Sequence, residues 1–385
     1  MIGSGRAAAA AAAAAVISAL SAHPAAQPAP LTGSAQVARV YDVIMDARFA
    51  EAEALLNKTC PPVPAEVCKL LSVVSSWWQI QLNPYTRSQD EAFRKNADLV
   101  INAMERWTER EPARAEAWFY LGGAVGARAQ WRVLRGETLA AARDGKRIKS
   151  ALERALEIDP KLQDAYFGIG MYHYYAAVAP RAARMLRWLL LLPGGDREQG
   201  LEEMLRARGA GQLLRSEADY QLHIVYLWYE KQPSRALELL TALADRYPHN
   251  PHFLQQVAEI EDHYTLDHAA SLRAWRTLLD RARRGQVALP EMVRARAELG
   301  VALELDHTGQ PQAAIPMLQA IIESKPAAPA GAVALAHLEL GYVYDRLLRR
   351  TEALASYRAA LAANPAGDPM KIESRAREWL RTPAR

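Results

Sequence analysis

The side chains best suited to chemistry are histidines and carboxylates gathered between positions 249 and 268. His249, His252, His263 and His268 stand in that stretch, with Glu259, Glu261 and Asp262 among them. Imidazole and carboxylate groups are common transition-metal ligands and common acids and bases of catalysis. Their spacing here argues against both roles. His249-Asn-Pro-His252 reads as a proline-broken turn, and no His-Glu-x-x-His or paired-cysteine pattern accompanies it. Glu259, Glu261, Asp262 and His263 are close enough in sequence to fan around a helix instead of converging on one face. The expectation is a solvated turn and helix face, with no metal. There is no Gly-x-Ser-x-Gly elbow and no glycine-rich phosphate loop, and Gly122, Gly123 and Gly126 read as a close-packing surface between helices. The chain therefore reads as a non-enzyme without catalytic residues or cofactors.

The elements that must carry these residues are helical. Alanine, leucine and arginine are abundant, and runs of β-branched residues are scarce. Near the C-terminus, Leu340-Gly341 is followed by Tyr344, Ala353, Tyr357, Ala360-Leu361 and Pro365. Small residues at Gly341 and Ala353 let two helices approach, the tyrosines fill the space between successive pairs, and Pro365 stops the second helix. This spacing resembles the tetratricopeptide repeat, a helix pair that stacks on its neighbours. Weaker copies lie upstream: Leu299-Gly300 with Ala314, Leu318 and Pro326; Tyr220 and Trp228 with Ala236, Leu240 and Pro248; and a degenerate pair around Ala270 and Trp275. Val37 to Asn57 reads as a first pair broken at Ala47-Arg48, and Pro64 to Glu109 as a second. Trp118 to Pro160 and the unit beginning at Tyr166, Ile169 and Gly170 are longer than a standard repeat. The expected fold is all-α, a right-handed α–α superhelix with lengthened central helices.

In such arrays the first helices line the concave face, where extended binding surfaces are built. The repeat phase points Phe119, Phe167, Met171, Tyr174, Tyr175, Val225, Trp228 and Tyr229 toward it. An aromatic, methionine-bearing strip of this kind either anchors a peptide or fills an enlarged core. As a groove, it would take a protein or peptide partner.

The segment from Pro180 to Pro193 is the other unusual feature. Arg181, Arg184 and Arg187 recur every third residue, with Met185, Leu186 and Leu189 to Leu192 around the rest. Such a helix can lie on a membrane surface or dock a partner. The run of apolar residues favours an inserted, buried helix with a solvated arginine edge. Pro180-Arg181, Arg184-Met185-Leu186, Gly194-Gly195-Asp196-Arg197-Glu198 and Gly200-Leu201 resemble the hallmark of the eukaryotic tetratricopeptide-39 and fungal inclusion-body-clearance proteins. The likeness covers residues 164–211. It implies a solenoid adaptor at organelle surfaces, of which fold and adaptor role are the transferable parts. Independently of it, Asp196 is placed to cap the next helix and Gly200 to sit at a helix crossing.

Residues 1–22 read as a signal peptide: Arg6, an uncharged alanine-rich run from Ala7 to Leu20, and small residues at Ala19, Ser21 and Ala22. The expectation is an exported protein, periplasmic or secreted. No run approaches the length of about 20 residues needed to span a bilayer. The formal charge of +4 falls to +3 once Arg6 is removed, with no basic stripe to attract nucleic acid. Cys60 and Cys68, separated by a proline-rich loop, either form a disulfide or are two buried thiols, and export favours the bridge. The domain plan is a linker over residues 23–34, N-terminal hairpins over 35–110, two extended units over 111–212, C-terminal repeats over 213–366, and a capping helix with tail over 367–385.

Overall fold

The computed structural model describes residues 31–179, 194–368 and 370–384. Proline sets many helix boundaries. Five helices, ending at Arg110, Ile158, Arg246, Ser324 and Ala363, stop two residues before Pro112, Pro160, Pro248, Pro326 and Pro365. The residue preceding a proline is pushed out of the helical region, and the proline itself has no N–H to donate. Four helices begin on Pro233, Pro251, Pro290 and Pro311, where a missing N–H costs nothing.

The resulting chain is eight helix pairs and a cap. The pairs are α1 (Ser34–Met45) with α2 (Phe49–Thr59), α3 (Ala65–Leu82) with α4 (Asp90–Arg110), α5 (Ala115–Leu134) with α6 (Thr138–Ile158), and α7 (Ala165–Val178) with α8 (Arg197–Ala210). They continue as α9 (Arg215–Ile224) with α10 (Pro233–Arg246), α11 (Pro251–Ile260) with α12 (His268–Arg283), α13 (Pro290–His307) with α14 (Pro311–Ser324), and α15 (Ala332–Arg346) with α16 (Arg350–Ala363). Helix α17 (Ile372–Arg381) packs on the last pair. No strand occurs among the described residues. Each helix packs on the next in sequence, and first helices of successive pairs also touch, as in α1 with α3 and α13 with α15. One hydrophobic core runs without a break through residues 110 and 212, so the segments named from sequence are parts of one array.

Glycine sets the tightest crossing. A Cβ on Gly200 of α8 would lie 2.5 Å from the Tyr174 nitrogen and 2.6 Å from the Gly170 oxygen of α7, so the two backbones touch where both residues lack side chains. The same device recurs with a ring as neighbour, Gly300 against Trp275 and Gly341 against Tyr357. Asp196 caps α8 by accepting from Gln199 N at 2.8 Å.

The lengthening begins earlier than the repeat spacing suggests. Helices α3 and α4 have 18 and 21 residues and α5 and α6 have 20 and 21, against 15 and 14 in α15 and α16. The long ends support one another. Arg128 of α5 forms a two-bond fork to buried Asp144 of α6, at 3.0 and 2.6 Å, and also donates to Asp98 of α4 at 2.7 Å. Trp131 packs on Phe93 at 5.8 Å. A short neighbour would leave that charge and those rings unsupported. In the fourth pair the described helices have 14 residues each, and the inserted segment, residues 180–193, lies outside the described residues.

Candidate functional site

The aromatic strip expected to line a groove does not line one. Phe119, Phe167, Tyr174 and Val225 are buried in the core, and Met171 and Tyr175 are partly buried against it. Trp228 and Tyr229 alone stay exposed, at 55% and 43%. Tyr229 meets Tyr174 and Tyr175 edge-on at 5.9 and 5.6 Å. Both exposed residues lie on a π-helical turn, Val225–Tyr229, that extends α9 and shifts the register of its faces.

The inner face of the N-terminal pairs is closed as well, because the solenoid curls until its own first helices meet. Tyr41 of α1 donates to Glu217 of α9 at 2.7 Å, and Gln81 of α3 to Tyr220 at 3.2 Å. Trp78, fully buried, stacks obliquely on Tyr220 at 5.1 Å and edge-on to Phe253 at 5.6 Å. Concave surface that would be open in a looser superhelix is thereby filled by the chain itself. The turn at His249 to His252, expected to be solvated, is part of this closure. His249 Nδ1 lies 2.8 Å from Asp46, Asn250 donates to Met45 O at 2.7 Å, and His252 packs between Trp78 and Tyr220.

Beyond the closure, the inner face of the last pairs keeps an open cavity of about 370 Å³. Asp262, Asp306, His307, Glu339, Tyr342 and Trp379 are among the residues that line it. Asp306 is 2% exposed, and neither carboxylate oxygen has a hydrogen-bond partner. Arg346 Nε stands 3.9 Å away, beyond hydrogen-bonding reach. Burial raises the Asp306 carboxyl above its ordinary value. Glu339 is raised for the same reason, partly offset by Arg375, which donates to it at 3.1 Å. The lining thus combines the carboxylates of Asp262, Asp306 and Glu339 with the basic groups of His263, His307 and Arg375, and Asp306 is the carboxylate left without a hydrogen-bond partner.

At its edge lies a cluster that the sequence expectation of no metal did not foresee. Asp262, His268, Glu304 and His307 bring four potential ligand atoms within 4.8 Å of one another. A π-helical turn, Glu261–Thr265, ends α11, and Leu266 then reverses the chain at φ +55°. Asp262 on the turn thereby faces His268 at the start of α12, instead of fanning away from it. Glu304 and His307, three apart, share one face of α13. This Glu-x-x-His spacing was the one sequence signal available. The distance from residue 268 to 304 hid its relevance. Asp262 Oδ1 is 3.0 Å from His268 Nδ1 and 3.4 Å from His307 Nδ1, and Glu304 Oε2 is 3.3 and 3.4 Å from the same two atoms. The adjoining carboxylates, Asp262 first and Glu304 second, raise His307 to about 10. Burial alone would raise Asp262, but hydrogen bonds from His263 and His307 hold it well below the usual carboxylate range.

Cys60 and Cys68 are bridged, with Cα atoms 6.5 Å apart. Arg181, Arg184 and Arg187 lie outside the described residues, as does the segment read as a signal peptide. No helix among the described residues is long and apolar enough to cross a membrane.

The stacked helix pairs define the class: a tetratricopeptide-type helical solenoid. No family model and no curated protein matches the sequence, so the likeness of residues 164–211 to the tetratricopeptide-39 group stays a resemblance. Among solved structures, the chain is similar to the APC/C hetero-tetramer Cut9–Hcn1, at 15% identity and a TM-score of 0.47, covering 87% of this chain and 54% of that one. It is also similar to yeast Tom70, at 12% identity and TM-score 0.39, covering 82% and 64%. A third is YrrB, described as a TPR protein with an unusual peptide-binding site, at 15% identity and TM-score 0.30, covering 72% and 98%. The chain thus spans about half of the first of these and less than two thirds of the second.

Proposed function

We propose that the protein is a non-enzymatic scaffold that binds a protein or peptide partner, holding a basic side chain of that partner in the C-terminal cavity. One observation carries this reading: Asp306, a buried carboxylate with neither oxygen hydrogen-bonded, is among the residues lining that cavity. A buried carboxylate without hydrogen bonds is costly, and an incoming ammonium or guanidinium would recover that cost. Tyr342 and Trp379, whose rings lie 5.4 Å apart, supply aromatic wall for the aliphatic stem of a lysine or arginine.

The cell envelope is the compartment in this reading. Its supports are the alanine-rich apolar run behind Arg6 and the Cys60–Cys68 bridge, since disulfides persist in oxidising compartments. Fractionation of the native host, read by immunoblot, tests it; recovery in the cytoplasmic fraction would overturn this part.

Panning a random peptide library on the full chain tests the binding reading. Selected peptides are expected to contain lysine or arginine, and to bind Asp306→Asn at least about tenfold more weakly, a loss of ~1.4 kcal/mol or more. Ligands without basic residues, or equal binding by the variant, would sink it.

A further inference from the structure

We propose that Asp262, His268, Glu304 and His307 form a tetrahedral site for a divalent transition-metal ion, with zinc as the ion whose chemistry fits best. The four ligand atoms alternate around a ring, oxygen, nitrogen, oxygen, nitrogen, with edges of 3.0, 3.4, 3.4 and 3.3 Å. A zinc ion bound by imidazole nitrogen and carboxylate oxygen at about 2.0–2.1 Å in a tetrahedron sets its ligands about 3.3–3.4 Å apart. These are four of a tetrahedron's six edges: three match that spacing closely, one is shorter by a few tenths of an ångström, and the remaining O···O and N···N pairs lie within 4.8 Å.

Hydrogen bonding alone does not account for the arrangement. Each Nδ1 sits between two carboxylate oxygens, and a single N–H satisfies only one of them well. His268 Nδ1 and Glu304 Oε2 are buried and have no hydrogen bond of acceptable geometry, despite their close approach. Glu304 is 1% exposed, so this oxygen has no access to bulk water. A metal ion at the centre would satisfy all four atoms at once.

The outer atoms of the carboxylates are already held, as expected of a built site. Ser271 Oγ donates to Glu304 Oε1 at 3.0 Å, which turns Oε2 toward the two imidazoles. His263 Nδ1 lies 2.7 Å from Asp262 Oδ2, which leaves Oδ1 for the cluster. Outer partners of this kind orient ligands and are worth one to two orders of magnitude in metal affinity. Two imidazoles with two carboxylates suit zinc better than calcium or magnesium, which prefer all-oxygen shells. Asp262 and His307 also line the open cavity, which provides an entry path. The ion would tie the end of α11, the start of α12 and the end of α13, and so pin the sixth pair to the seventh.

The test uses the full chain, stripped of metal with chelator, carrying no polyhistidine tag, and with no peptide present, so it stands apart from the peptide reading. Calorimetric titration with zinc chloride is expected to show one equivalent bound with a Kd below about 1 μM. His268→Gln with His307→Gln is expected to weaken binding at least about tenfold. Both side chains are about one-third exposed, so the metal-free double variant should keep its helical circular dichroism. Titration of the unmodified chain with cobalt(II) needs no variant: strong visible absorption of a tetrahedral complex is expected. No saturable zinc binding, equal zinc affinity in the double variant, or the weak spectrum of octahedral cobalt would each overturn the proposal.

Discussion

The Tyr41 hydroxyl donates to Glu217 Oε2 at 2.7 Å, a buried contact between residues 176 positions apart in sequence. It joins the first helix of the array to the ninth, and with Trp78 on Tyr220 it closes the inner face of the N-terminal pairs. A charge-assisted hydrogen bond of this kind contributes about 1.5–3 kcal/mol, and its loss leaves a buried carboxylate short of a donor. Tyr41→Phe should therefore lower the urea midpoint by that equivalent. Trp78→Ala should cost more, about 3–5 kcal/mol, because it empties a fully buried indole site. The double variant should lose less than the sum, since both residues serve one interface. Strict additivity in denaturant unfolding would contradict the closure.

The α7–α8 crossing separates two glycines that look alike in sequence. Gly200→Ala drives a Cβ to within 2.5 Å of the Tyr174 backbone nitrogen, so the helices must part. A loss of about 1–3 kcal/mol or more is expected from such overpacking. Gly126→Ala on α5 meets nothing within 4 Å, and relief of glycine's helix penalty should stabilise by roughly 0.5–1 kcal/mol. Thermal unfolding of the two variants should shift in opposite directions.

Acid should weaken the fold through His223. It is 2% exposed, and burial first, then the nearby His252, lower it to about 3. His252 is itself lowered to about 4, by burial and then Arg296, and Tyr220 lies 4.9 Å from the His223 ring. The unfolded chain takes up a proton below about 6.5, whereas the folded chain resists until about 3. This contribution is thus fully present above pH ~6.5 and is lost as pH falls from there toward ~3, by an order of a few kcal/mol. Urea midpoints at pH 7 and pH 5 should show the fall, and His223→Gln should flatten the part due to this residue. An unchanged slope in the variant would refute the assignment.

Reduction of Cys60–Cys68, which are eight apart in sequence, releases the loop between α2 and α3. Loop-closure entropy for so short a ring predicts a loss of about 2–3 kcal/mol. Cys60→Ser with Cys68→Ser should lower the unfolding midpoint by a similar amount, and added reductant should then have no further effect.

Much of this architecture was legible because its determinants are local. Pro160, Pro248, Pro326 and Pro365 mark helix ends within two residues, and Gly300, Gly341 and Gly200 mark crossings, since each acts through its own backbone or a near neighbour. The extents of α3 and α4 were legible from Pro64 to Glu109, but the contacts of Arg128 with Asp98 and Asp144, which tie the long ends of α4, α5 and α6, were not, because the three residues sit on different helices. The groove expectation failed for a related reason. Repeat phase tells which face of a helix points inward, but not whether the inward space stays open.

Composition and spacing alone therefore determined an all-helical array of stacked pairs, its two-cysteine loop and its terminal cap. Only the tertiary structure decided how far the array curls, since small rotations at each pair add up over the whole chain before Tyr41 meets Glu217. It alone decided that Asp262, His268, Glu304 and His307 share one centre. That convergence depends on a π turn and a left-handed Leu266 that redirect two helices, and no fixed sequence spacing records such a turn.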